Sequence, residues 1–231
     1  MNSPADASSP RALRALSPIE ARIVGVLIEK QHTVPDTYPL SLNALTLGCN
    51  QKTARDPVIA AGEGEVQVAV DALKSLALAF ESSGSRVARW EHNLGRALGV
   101  PSQSVALLAT LILRGPQTPA ELRTAAERLH RFADVSAVEG FLDELAARPA
   151  EKGGALVVRL PRAPGAREQR WAHLLSGPVD VTALPVAAEG EAIVATSELA
   201  AMKLRLAATE AEVTRLAALV ERLCRELDVR P

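Results

Sequence analysis

The segment Glu65 to Leu78, EVQVAVDALKSLAL, decides the fold. Its apolar residues Val66, Ala69, Val70, Leu73, Leu76 and Ala77 recur at spacings of three and four, which puts them on one stripe of a helix. After it come Phe80-Glu81, a Ser-Gly-Ser turn at Ser83 to Ser85, and Val87 to Glu91 in alternating pattern, the signature of a β-hairpin. Working back towards the N-terminus, a short helix is predicted from Ser41 to Cys49 on Leu42, Leu45 and Leu47. A longer one starts at Ser17-Pro18, an N-cap followed by proline at the first helical position, and runs to Lys30 on Ile19, Ile23, Val26 and Leu27. Between helices two and three, Asn50 to Gly64 is polar, contains Pro57, and reads as a loop. Helix, helix, helix and hairpin is the order of a winged-helix domain, predicted over residues 17–100.

The order then repeats over residues 101–177. Ser102 opens a helix through Leu107, Leu108, Leu111 and Leu113, stopped at Gly115-Pro116. Thr118-Pro119 caps a second helix to about Leu129, with Glu121 as its capping-box partner. A third runs from about Ser136 to Ala147 on Val138, Phe141, Leu142 and Leu145. Ala155 to Leu160 and Arg170 to Leu175 then flank a Pro-, Gly- and Arg-rich loop as a second hairpin. The fold class expected is mainly α with small β-hairpins: two winged-helix domains in tandem.

The flanks differ in character. Residues 1–16 are rich in Ser, Pro and Ala and read as a disordered arm, and 178–191 as a linker. Over 192–231 the residues Leu199, Met202, Leu206, Thr209, Val213, Leu216, Val220, Leu223 and Leu227 alternate spacings of three and four without a slip. This is a heptad seam, with Thr209 its only polar member, and it predicts a coiled coil pairing two copies of the chain. Parallel strands would set Glu198 against the partner's Lys203 and Arg205 against the partner's Glu210, both attractive. A single amphipathic helix folding back on the body is the alternative.

Composition bounds the chemistry. Apolar residues make up 48% of the 231 residues but aromatics only 3%, so the cores are aliphatic. The net charge of −1 gives no global attraction to nucleic acid or to an acidic membrane. No stretch approaches a membrane span, and the N-terminus lacks a signal-peptide core, so a cytoplasmic protein without a membrane partner is expected. The two cysteines, Cys49 and Cys224, have no metal-type spacing. The histidines at 32, 92, 130 and 173 fall in different elements without ligand spacing. Cys49 beside Asn50 and Lys52 reads first as a packing residue at a helix end. No phosphate-cradling loop, nucleophile elbow or paired carboxylates are present, so no enzyme, metal or cofactor is expected.

Several unusual strings resemble the YceH-like family of bacterial proteins. They are Tyr38-Pro39-Leu40-Ser41-Leu42-Asn43, Cys49-Asn50-Gln51-Lys52-Thr53, Arg55-Asp56-Pro57-Val58 and Leu113-Arg114-Gly115-Pro116-Gln117-Thr118-Pro119. Glu20-Ala21-Arg22, Glu29-Lys30, Arg167-Glu168 and His173-Leu174 are similar to that family too. The resemblance covers about Leu16 to Gly177 and implies tandem winged helices, without supplying a function.

Charge placement gives two function classes. A winged helix that reads DNA does so with the exposed face of its third helix. Here those faces carry Gln67, Asp71, Lys74 and Ser75 behind Glu63 and Glu65, and Glu139, Asp143 and Glu144, so carboxylates would meet phosphates. Basic residues concentrate elsewhere: Arg86 and Arg89 on the first hairpin, Arg159, Arg162, Arg167 and Arg170 on the second, and Lys52 and Arg55 in the loop after helix two. These eight are the candidate phosphate contacts of a dimeric, DNA-associated regulatory protein. The other class is a protein-interaction scaffold whose acidic third helices face a basic partner.

Overall fold

The structure, a computed structural model, describes residues 13–82, 87–162 and 165–179. The first part of the predicted arm, Arg86, nearly all of the linker and the whole heptad seam from Leu199 to Leu227 lie outside the described residues.

Mixed α and β structure results: seven α-helices and two small antiparallel sheets among the described residues. Helix α1 spans Pro18–Thr33. Ser17 and Glu20 close a full capping box at its start, the Ser17 N–H donating to Glu20 Oε2 at 2.7 Å. A short strand β1, Leu40–Ser41, leads into α2, Leu42–Cys49, capped by the Ser41 hydroxyl. Helix α3 spans Glu63–Ser75, with Val66, Ala69, Val70 and Leu73 on its buried face.

The sequence stripe runs on to Leu78, but the helix stops earlier. The Leu78 N–H bonds back to Leu73 O and the Ala77 N–H to Lys74 O, while Ala77 takes a left-handed φ of 57°. That is a Schellman closure with alanine where glycine is usual. Ala77→Gly is therefore expected to raise stability by about 1 kcal/mol, read as the free energy of urea unfolding. An unchanged or lower value would refute the strain assigned to this position.

Strands β2, Ala79–Glu81, and β3, Arg89–His92, form the first hairpin, and β1 completes a sheet of order β1-β3-β2. One turn of helix, α4 (Leu94–Leu98), closed by left-handed Gly99, carries the chain into the second half. There α5 spans Ser102–Arg114, α6 Pro119–Ala125 and α7 Val135–Ala146. Strands β4, Val157–Arg159, and β5, Trp171–His173, pair antiparallel. Thr118 and Glu121 form the capping box expected of α6. That helix is shorter than its apolar pattern suggested and breaks into turns after Ala125.

The two halves share one hydrophobic core, which runs from Leu16 to Leu175. Helix α1 packs directly on α5. Gly25 makes this close approach possible: a Cβ there would lie 2.9 Å from Leu113 Cγ and 3.0 Å from Ile112 Cγ2. The end of the predicted arm also corrects. Leu16 is 3% exposed and its N–H donates to Leu175 O, and Arg14 forms a two-pronged ion pair with Glu20, so residues 13–16 belong to the folded body.

Candidate nucleic-acid interface

Four of the candidate arginines fall on the β4–β5 hairpin. Arg159 ends β4, where its guanidinium lies 4.7 Å from the Trp171 ring centroid and donates to Asp143 Oδ1 at 3.1 Å. Arg170 precedes β5, donating to Pro116 O at 2.8 Å and to Glu121 Oε1 at 2.9 Å. Both side chains stay nearly half exposed, at 47% and 45%. Ion pairs that exposed are individually weak, so an incoming phosphate can compete for the guanidinium. Arg162 and Arg167 are exposed and have no partner among the described residues.

The other candidates separate. Lys52 is exposed on the loop after α2. Arg55, from the same loop, is corrected: its side chain is fully buried and cannot reach a phosphate. Its guanidinium grips Glu29 through both carboxylate oxygens at 2.6 and 3.1 Å and also donates to Gly48 O, Ala54 O and Gln51. Burial works against the Glu29 carboxylate, but the hydrogen bonds and charge of Arg55, with Lys30 beside it, hold its pKa below the ordinary range. Arg22, buried nearby, donates to Cys49 O and Pro57 O. These two arginines satisfy the carbonyls of Gly48 and Cys49 at the end of α2 and of Ala54 and Pro57 in the loop after it. Arg89 is partly buried and spends its donors on Pro39 O and Thr37 O.

Cys49 is fully buried, and burial pushes its thiol up to about 12, which makes it a packing residue rather than a nucleophile.

One repeat escaped the pattern reading. Arg89-Trp90-Glu91-His92 in β3 matches Arg170-Trp171-Ala172-His173 at β5. In each half the arginine donates to a proline carbonyl, Pro39 or Pro116, two residues before the N-cap of the second helix. The tryptophan of each pairs with the residue after that proline: Trp90 with Leu40, Trp171 with Gln117. A cation lies over each ring, Lys74 at 4.9 Å and Arg159 at 4.7 Å. Each histidine has a buried Nδ1 without a hydrogen-bond partner, and burial lowers both pKa values to about 4, His32 adding to the effect at His92. The Arg-Trp-x-His match of two distant strings was available in the sequence, but hydrophobic periodicity is blind to it.

The exposed faces of the third helices carry carboxylates: Glu63, Glu65 and Asp71 on α3, and Glu139, Asp143 and Glu144 on α7. Among the described residues no helix is long and apolar enough to cross a membrane.

Comparison with known proteins places these features in a family. Residues 16–166 match a family model described as "Protein of unknown function, DUF480". A UPF0502 protein of Burkholderia multivorans is 61% identical over 230 residues, covering 99% of this chain and 96% of the relative. UPF0502 proteins of Burkholderia ambifaria and Burkholderia cenocepacia are 59% and 60% identical over 231 residues, with the same coverage. The match takes in α1 through the second hairpin's first strand, and the chain belongs to this bacterial DUF480/UPF0502 family.

Proposed function

We propose that this chain is a cytoplasmic, non-enzymatic tandem winged-helix protein that associates with duplex DNA by touching phosphates with its β4–β5 hairpin. Support for the winged-helix assignment comes from the repeated order of three helices and a hairpin, and from the Arg-Trp-x-His strand that closes each half in the same way. The observation that carries the DNA reading is the hairpin itself: Arg159, Arg162, Arg167 and Arg170 share it with the single carboxylate Glu168. Phosphate contacts position a protein on DNA without reading sequence. The carboxylates on α3 and α7 speak against base readout, so the association is of low sequence specificity. A homodimer through the heptad seam presents the hairpin twice.

The test is binding to random-sequence duplex DNA across a salt series, with wild type compared with an Arg162→Ala, Arg167→Ala variant. Wild type is expected to bind with micromolar affinity at about 50 mM salt, and the variant's log–log salt slope to be shallower by about 2. No binding at that salt would discard the reading. The second reading, a scaffold for a basic protein partner, rests on the acidic exposed face of α7 and would then take its place.

A further inference from the structure

A groove of about 970 Å3 lies between the loop after α2 and the exposed face of α6, with Arg170 of the hairpin in its wall. It continues into a smaller recess of about 190 Å3, the two sharing Ala54, Arg114 and Ala125. Three of the unusual sequence strings, around 29–30, 51–56 and 113–119, meet here although the fold alone does not require a cleft.

The walls are fixed before any ligand arrives. Arg55 anchors the loop from beneath, the Asp56 N–H donates to Leu113 O at 2.8 Å, and Arg170 ties the hairpin to Pro116 and Glu121. Small side chains, Ala54, Ala120 and Ala125, leave room along the floor.

Charge bookkeeping then identifies what is unmet. Arg55 and Lys30 share the single carboxylate of Glu29, and Arg170 pairs with Glu121. Among the described residues, Arg114 and Arg128 have no partner, set against one unpaired carboxylate, Asp56. Five cations against three carboxylates, Glu29, Glu121 and Asp56, leave a surplus of two positive charges, and Arg114 and Arg128 are the two guanidinium groups free to grip carboxylates through paired N–H donors. A small molecule would stay largely wetted in so open a cleft, whereas small-ligand sites bury most of their ligand. An extended chain can run from the larger groove into the recess and offers backbone N–H groups to Asp56.

We propose that this groove docks an extended acidic segment of a partner protein, with its carboxylates on Arg114 and Arg128. The groove meets the hairpin at Arg170, but Arg114 and Arg128 lie off the hairpin, so their substitution tests the groove apart from the phosphate contacts of Arg162 and Arg167. The experiment selects a random-peptide library against the full-length protein. It re-measures the recovered peptides by fluorescence polarisation on wild type and on an Arg114→Ala, Arg128→Ala variant. Both arginines are exposed and unbonded, so the variant should keep the wild-type melting temperature, which is checked first. A photocrosslinking residue placed at Ala120 locates the bound peptide. Peptides rich in Asp and Glu, weakened at least tenfold by the double substitution and crosslinked at Ala120, are the expected result. Failure to enrich any peptide, recovery of basic or apolar ones, or binding untouched by the substitution would overturn the proposal. So would loss of duplex-DNA binding in the same variant, which would assign the groove to the nucleic-acid surface.

Discussion

Replacing Arg55 with methionine is expected to lower the free energy of unfolding by about 3–5 kcal/mol, the usual cost of removing one partner from a buried ion pair. The substitution strands Glu29, only 16% exposed at its side chain, and takes donors from Gly48 O and Ala54 O together. Lys30, with Nζ 3.4 Å from the Glu29 carboxylate, relieves only part of this. Since domains of this size are stable by about 5–15 kcal/mol in all, the variant should sit near the edge of folding at physiological temperature. Urea unfolding followed by the fluorescence of Trp90 and Trp171 measures the loss. Substituting Glu29 and Arg55 together with methionine should recover a good part of it, because neither charge of the pair is then left without its partner. A loss under about 1 kcal/mol in the single variant would mean that the pair is far better solvated than its burial indicates.

Acid should weaken the fold through His92 and His173. Burial holds both near 4, whereas an unfolded histidine titrates near 6.5. Above about pH 6.5 both states are neutral and nothing is lost. Between 6.5 and 4 the unfolded chain takes up protons that the folded chain refuses, so stability falls as pH falls through that window. The expected loss is on the order of 2 kcal/mol per histidine by pH 4.5. Glu20 and Glu29 are held below the ordinary carboxylate range, Glu20 chiefly by the Arg14 hydrogen bond, so their contribution fades only below about 4.5. Melting temperatures at pH 7.0 and 4.5 for wild type and a His92→Gln, His173→Gln variant separate the two sources. A variant with the same acid sensitivity as wild type would exclude the histidines.

How much of this was legible in the sequence depended on length and on burial. Elements with local signals announced themselves: the Ser17-Pro18 N-cap, the Thr118 capping box and the α3, α5 and α7 stripes. Strand β1, of two residues, and α4, of five, are too short for any period to show, and form because Trp90 and the Gly99 turn await them. The site was less readable. Lys52 and Arg55 look alike in a polar string, yet one is exposed and the other has no exposed side-chain surface. What separates them is a carboxylate on α1, 26 residues away in sequence, and carbonyls at the end of α2. The groove, too, exists only once three distant strings meet, and no single one of them suggests a cavity.

The contact between α1 and α5 carries a consequence for truncation. Each is the opening helix of its half, so the halves meet through corresponding elements. A lone half would leave the Gly25 face of α1 in water with nothing to cover it. Cutting the chain at Gly99 would therefore expose apolar surface on both pieces, and the two halves are expected to be stable only together.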